Sequence, residues 1–215
     1  MKKIAVVLAG NGFKDGAEIT EAVSTLIGLS QLGVDYKAFA PDLDVTSTDH
    51  ISGDEGEKRN VLIESSRITR GQIEPLSALD PNDFDGVVFP GGFGAALHLC
   101  DFAKSGHKCT VLKEAESAIK SFYEQSKPIA AFCIAPALVA RVLGEHAVEV
   151  TIGNDKETAS EIEKTGAQHV ECAVDDFVTD RMNKVITSPA YMYEEKPHLV
   201  FTGITKALKE FVEMA

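Results

Sequence analysis

Short, continuously apolar runs alternate with longer segments of helical periodicity along almost the whole chain, and this alternation limits the possible folds more than any other feature. Lys3–Ala9, Val34–Ala40, Asp85–Phe89 and Ile129–Phe132 read as strands. Ala17–Gln31 repeats apolar residues at Ile19, Val23, Leu26 and Ile27, and Val111–Tyr123 and Ala137–Leu143 are also helical. A last helix follows Pro197 and sets Val200, Ile204, Ala207, Leu208 and Phe211 on one stripe. Strands with no polar alternation are covered on both faces, so repeated strand–helix units of this kind imply an α/β fold with a mostly parallel sheet between layers of helices. A length of 215 residues suits one domain, 1–215, and no linker divides it.

The remaining segments are weaker. Val148–Ile152 and His169–Ala173 are strand-like, with the polar helix Asp155–Lys164 between them, and Phe177–Thr179 with Lys184–Thr187 reads as a hairpin. Asp42–Asp80 is irregular apart from a helix-compatible stretch at Arg59–Arg70, and is expected to form an excursion that could wall a pocket.

Composition removes several classes of function. The formal net charge is −12, with no cluster of Lys or Arg, so a phosphate backbone would be repelled and nucleic acid is not an expected partner. No apolar run approaches the roughly 18 residues that span a bilayer. The N-terminal run Ile4–Leu8 is short and leads into Gly10-Asn11-Gly12, which fits a first strand better than a leader. The four cysteines, at 100, 109, 133 and 172, include no Cys-x-x-Cys pair; free thiols and a cytoplasmic location are expected.

The chemistry concentrates at Ala131-Phe132-Cys133-Ile134-Ala135. A reactive side chain between small residues, where a buried strand turns into a helix, is a nucleophile elbow with alanine in place of the usual glycines. Unpaired N–H groups at the helix start favour thiolate, so Cys133 is expected to have a lowered pKa; the alternative is a small buried cysteine without a chemical role. Ligand sites in such sheets lie at the carboxyl ends of the strands. Three loops emerge there: Gly10–Glu18, Pro90–Gly94 and Phe132–Pro136. Glu18, at the start of the first helix, is either a helix-dipole residue or a general acid/base facing Cys133. Pro90-Gly91-Gly92-Phe93-Gly94 is a tight turn or half of an oxyanion site, with the N–H of Gly92 paired with that of Ile134.

His169 shares a strand face with Glu171 and is a candidate base for the thiol. The doubled His-x-Cys at His98–Cys100 and His107–Cys109 does not match zinc-ligand spacing, and no metal is expected. Gly10, Gly12 and Gly16 miss the dinucleotide spacing by one residue, with Asp15 where a pyrophosphate would sit.

These motifs together resemble the ThiJ/PfpI branch of the class I glutamine amidotransferase-like superfamily. Asp15–Ile19, Arg59–Glu64, Pro90–Ala96, Cys133–Pro136, Thr151–Gly153 and Pro189–Met192 look like the ElbB subfamily, the isoprenoid biosynthesis glyoxalases. The resemblance covers essentially the whole chain. It implies a flavodoxin-like three-layer sandwich, commonly a homodimer, and a cofactor-independent glyoxalase that converts methylglyoxal or glyoxal to a 2-hydroxy acid. Carried over by residue, Cys133 is the nucleophile, Glu18 the proton shuttle, and Gly92 and Ile134 the oxyanion donors, with His169 aligned loosely near the thiol. Hydrolytic relatives have histidine directly after the nucleophile, whereas this chain has Ile134, which points away from peptidase chemistry. The rival from another class is a non-enzymatic redox sensor in which Cys133 is oxidised.

Overall fold

The computed structural model describes residues 1–215. In chain order the elements are β1 (Lys3–Val7), α1 (Ile19–Gln31), β2 (Asp35–Ala40), β3 (Asp44–Thr48), β4 (Glu55–Asn60), α2 (Val61–Ile68), β5 (Ile73–Pro75), β6 (Gly86–Phe89), α3 (Phe102–Ser105) and α4 (Lys113–Glu124). There follow β7 (Ile129–Phe132), α5 (Ala135–Leu143), β8 (Glu149–Val150), α6 (Lys156–Glu163), β9 (Gln168–His169), β10 (Val178–Asp180), β11 (Val185–Ser188) and α7 (Pro197–Met214). Seven strands form one sheet in the order β10-β11-β7-β6-β1-β2-β5. Every pairing in it is parallel except β10 with β11. This is the α/β fold with a mostly parallel sheet that the strand–helix alternation implies, and the flavodoxin-like sandwich that the family resemblance implies.

The apolar strands divide cleanly between two cores because successive side chains point to opposite faces. Ile4, Val6 and Leu8 of the first strand, with Val88, Ala130, Phe132 and Ile186, pack under α1 and α7 against Val200, Ile204, Leu208 and Phe211. Ala5, Val7, Val87, Phe89, Ile129 and Ala131 face the other way, onto Ile119 and Phe122 of α4 and Leu138 of α5.

Helix α1 is where the apolar stripe misleads. Ile19, Val23 and Ile27 lie on its outer surface, 49%, 39% and 43% exposed, while Glu21, Ala22, Ser24, Thr25, Gly28 and Leu29 face inward. Four of these, Ala22, Ser24, Thr25 and Gly28, are small, and α7 crosses closely over them: a Cβ on Gly28 would lie 2.6 Å from a Leu208 methyl.

Two further expectations change. The strand-like segments around 150 and 170 join as a separate two-residue parallel pair, β8 with β9, outside the main sheet. The 42–80 excursion contains the antiparallel hairpin β3–β4 before α2 and β5. The second hairpin strand, Glu55-Gly56-Glu57-Lys58-Arg59-Asn60, is almost wholly exposed and carries no apolar alternation, so nothing in its pattern marks a strand. No helix is long and apolar enough to cross a membrane.

Candidate active site

Cys133 sits where β7 gives way to α5. Its φ is +59°, a left-handed conformation that a side chain larger than glycine's adopts only when its surroundings enforce it. The enforcement is visible: the Cys133 N–H donates to the carbonyl of Ser188 on neighbouring β11 at 3.0 Å, and Pro136 opens the helix immediately afterwards. Ala131 and Ala135 flank it, both fully buried. The sulfur thus projects past the carboxyl edge of the sheet, and the residue retains only 7% exposure. The backbone N–H groups of Gly92 and Ile134 stand close enough to favour its ionised form.

The carboxylate that touches this sulfur is Glu21, one turn beyond the residue expected from sequence. Glu21 has no solvent exposure, and its carboxyl adjoins the Cys133 thiol, both groups standing against Gly91. Its Oε2 accepts from the Gly91 N–H at 2.9 Å and its Oε1 from the Tyr191 N–H at 3.2 Å. Glu18 instead caps α1, with Oε2 accepting from the Glu21 N–H at 2.7 Å, and forms part of the wall of the cavity above. Glu21 escaped the sequence reading because Ile19, Val23 and Ile27 set the apparent inward phase of the helix. The signal that finds it is the run of small residues Ala22, Thr25 and Gly28, which shares its phase.

Electrostatics corrects a second expectation. Burial, and then the neighbouring Glu21 carboxylate, push the Cys133 thiol well above the ordinary cysteine value, against the pull of the Gly92 and Ile134 N–H groups. Burial, and then the charge of Glu18, raise Glu21 to about 8, although the Tyr191 and Gly91 N–H groups favour its ionised form. A helix start alone would yield a thiolate; a buried carboxyl in contact with the sulfur yields a pair that keeps its protons near neutrality. The two groups titrate together, so the first ionisation belongs to the pair rather than to either residue.

His169 is not brought to this site. It lies on β9, where its Nε2 accepts from the Ile152 N–H at 3.3 Å, and burial lowers its pKa; it is not part of the cavity wall. His98 bonds the Asp15 carbonyl at 2.8 Å, and His107 pairs with Glu161 at 2.7 Å, so both belong to local structure. No group of three or more His, Cys, Asp or Glu side chains is arranged to hold a metal ion.

The loop Pro90–Gly94 is held against the site by contacts only glycine permits. A Cβ at Gly91 would stand 2.5 Å from that of Cys133 and 2.8 Å from Oε2 of Glu21. Gly92 has a φ of +90°, and a Cβ there would meet the Glu18 nitrogen. Above the sulfur opens a cavity of about 840 Å³. Aromatic rings, Phe13, Phe93, Phe102, Tyr191 and Tyr193, form much of its wall. Its charged residues are all acidic: Glu18, Asp155, Glu157, Glu161 and Glu194, with no Lys, Arg or His. The 42–80 excursion supplies none of the wall and reaches it only through His50, which packs edge-on against Phe13 at 5.4 Å.

Comparison with known proteins places these features in a family. The model of the DJ-1/PfpI family matches residues 2–195. The human glutamine amidotransferase-like class 1 domain-containing protein 3, mitochondrial, is 42% identical over 99% of this chain and 83% of its own length. The zebrafish ES1 protein, mitochondrial, is 33% identical over 98% of this chain and 85% of its own. The crystal structure of an isoprenoid biosynthesis protein with amidotransferase-like domain from Ehrlichia chaffeensis superposes with a TM-score of 0.93 at 35% identity, covering 100% of this chain and 99% of that one. The mitochondrial names, carried also by the rat relative, overturn the expectation of a cytoplasmic location.

Because burial and the Glu21 carboxylate hold the Cys133 thiol well above the ordinary cysteine value, its alkylation by iodoacetamide should keep accelerating, by roughly tenfold per pH unit, across pH 6–9. Peptide mass spectrometry across pH 6–9 reads this; a flat profile would mean a thiolate already formed at neutral pH. Gly91→Ala should lower the thermal midpoint through overpacking worth about 1–3 kcal/mol and expose Cys133 to faster modification. A variant with wild-type stability and reactivity would show that the loop yields more easily than these contacts imply.

Proposed function

We propose that this chain, which belongs to the DJ-1/PfpI family, is a cofactor-independent glyoxalase of the ElbB type, acting as one domain over residues 1–215 and converting 2-oxoaldehydes such as methylglyoxal or glyoxal to 2-hydroxy acids. The observation that carries the reading is the buried Glu21 carboxyl standing against an elbow thiol of left-handed backbone, with the Gly92 and Ile134 N–H groups beside the sulfur. The isoprenoid biosynthesis protein from Ehrlichia, which superposes over the whole chain, supports the subfamily. A homodimer belongs to the same reading, and the exposed row Ile19, Val23 and Ile27 on α1 offers the apolar surface a second copy would cover.

The reaction follows from the groups at hand. Ionised Glu21 takes the thiol proton as the sulfur attacks the aldehyde carbon, and the N–H groups of Gly92 and Ile134 hold the resulting alkoxide until Glu21 returns the proton. That gives a neutral hemithioacetal. Glu21 then removes the hydrogen from the former aldehyde carbon and delivers a proton to the adjacent carbon through an enediol, leaving a 2-hydroxy thioester. Water cleaves the thioester, restores the thiol and releases the acid. A carboxyl poised near pH 8 both accepts and returns a proton within one cycle, which an ordinary carboxylate does poorly. Glu18 acts as a positioning residue: it caps the helix and its charge keeps Glu21 basic. His169 has no part.

The cavity walls favour the same substrate class. A 2-oxoaldehyde is small and neutral, so five carboxylates do not repel it, whereas the hydroxy-acid product is an anion and is driven out. Glutamine would need a cation for its α-carboxylate, and the wall has none.

Glu21→Gln should cut turnover of methylglyoxal by on the order of 10²-fold or more, while Glu18→Gln should cost about 1 kcal/mol of stability as a lost cap and keep turnover within roughly tenfold. Steady-state assays with thermal melts separate the two; equal losses would return the proton role to Glu18. Cys133→Ser should abolish turnover with the fold retained, and His169→Asn should leave turnover per folded molecule near wild type. Consumption of a single equivalent of methylglyoxal by the wild-type protein would favour the redox-sensor reading.

A further inference from the structure

Two of the remaining thiols lie together at the rim of the same cavity wall. Cys100 follows the turn of π-helix at Ala95–Leu99 and forms an isolated antiparallel bridge with Val111. The bridge is fixed on both sides: the Asp101 N–H donates to the Thr110 carbonyl at 3.1 Å, and the Leu112 N–H to the Leu99 carbonyl at 2.8 Å. Cys109 sits two residues before Val111, so it shares Cys100's side of this ribbon on the diagonal. The Cys100 thiol donates to the Ala95 carbonyl at 3.4 Å, and the two thiols lie close enough for each to shift the other's ionisation. Both are buried, at 4% and 1% exposure. The segment between them holds α3 and supplies Phe102, Ala103 and Gly106 to the cavity wall.

We propose that Cys100 and Cys109 are a redox modification site, oxidised by hydrogen peroxide to a reversible disulfide that clamps the Asp101–Lys108 segment of the cavity wall. The bridge sets the two side chains on one side of the ribbon, and closure draws the Cys100 sulfur off the Ala95 carbonyl until the two sulfurs stand about 2.0 Å apart. The two thiols are not equivalent. The adjoining Cys100 thiol favours a thiolate at Cys109, and the Arg141 guanidinium, whose Nε donates to the Cys109 carbonyl at 2.9 Å, acts in the same direction. Burial and the adjoining Cys109 keep Cys100 protonated.

Cys109 is therefore the attacking sulfur. Its thiolate displaces hydroxide from peroxide and becomes a sulfenic acid, the proton and hydroxide leaving as one water. The Cys100 sulfur then displaces the sulfenic oxygen, which leaves with the Cys100 proton as a second water. Two electrons pass from two thiols to one peroxide. Burial selects the oxidant, because a molecule the size of water reaches thiols that glutathione disulfide cannot.

The segment is already anchored at its middle. The His107 N–H and Nδ1 both meet Oε2 of Glu161 on α6, at 3.0 and 2.7 Å, and a Cβ on Gly106 would collide with the same carboxylate. Tying its two ends through Cys100 and Cys109 removes its remaining freedom.

The test uses the full-length Cys133→Ser protein, which keeps the elbow thiol out of the reaction and makes the outcome independent of any glyoxalase activity. After full reduction, one equivalent of peroxide should lower the mass by 2 Da. Tryptic cleavage at Lys104 and Lys108 separates the cysteines, so a linked pair of peptides holding Cys100 and Cys109 should appear and vanish on reduction. Cys109→Ala and Cys100→Ser should each abolish the linked pair, and glutathione disulfide should produce none. Amide exchange across Phe102–Lys108 should slow in the oxidised protein. Oxidation appearing only at Cys172, a linked pair formed equally by glutathione disulfide, or unchanged exchange in the segment would overturn the proposal.

Discussion

The site is organised by a single carboxyl group placed where water does not reach. Glu21 has no exposure, yet it is offered two backbone N–H groups from loops distant in sequence, those of Gly91 and Tyr191, and contact with a thiol. A buried acid left unpaired would be costly, and here each oxygen is satisfied by a group the fold delivers to it. The glycine at 91, the left-handed turn at 133 and the approach of residue 191 are all conditions for that arrangement.

The same contacts explain why reactivity and ionisation are tied together. In the elbow alone, the N–H groups of Gly92 and Ile134 would draw charge onto the sulfur. With the carboxyl against it, the sulfur and Glu21 compete for one negative charge in a medium that tolerates charge poorly. The result is a neutral, protected thiol whose activation is a proton transfer between adjoining groups. The acidic walls of the cavity act in the same sense, since they raise the cost of a second negative charge nearby.

Much of this was legible in the chain. The parallel sheet follows from Lys3–Ala9, Asp85–Phe89 and Ile129–Phe132, whose uninterrupted apolar character admits no exposed face, and Cys133 between Ala131 and Ala135 marks the elbow. The parts that were not legible share a physical cause. The small residues of α1 face inward because α7 approaches too closely for large side chains there, a property of the neighbouring helix and not of α1 itself, and Glu21 shares their phase to reach Gly91 and Tyr191. Strand β4 is held by pairing to β3 while both its faces meet solvent, so it has no hydrophobic period to read. His169 drew attention through its spacing to Glu171, but strand alternation says only that two residues share a face, not which way that face looks.

The separation of 170 positions between Glu21 and Tyr191 carries an implication for synthesis. Cys133 is held by Ser188 and guarded by a carboxyl that is itself completed only by the backbone of residue 191. As the chain leaves the ribosome, the nucleophile emerges well before the residues that fix its backbone and set its proton affinity. Assembly of the site is therefore among the last events of folding, and a nascent or truncated chain carries an ordinary cysteine rather than a weakened version of the finished one.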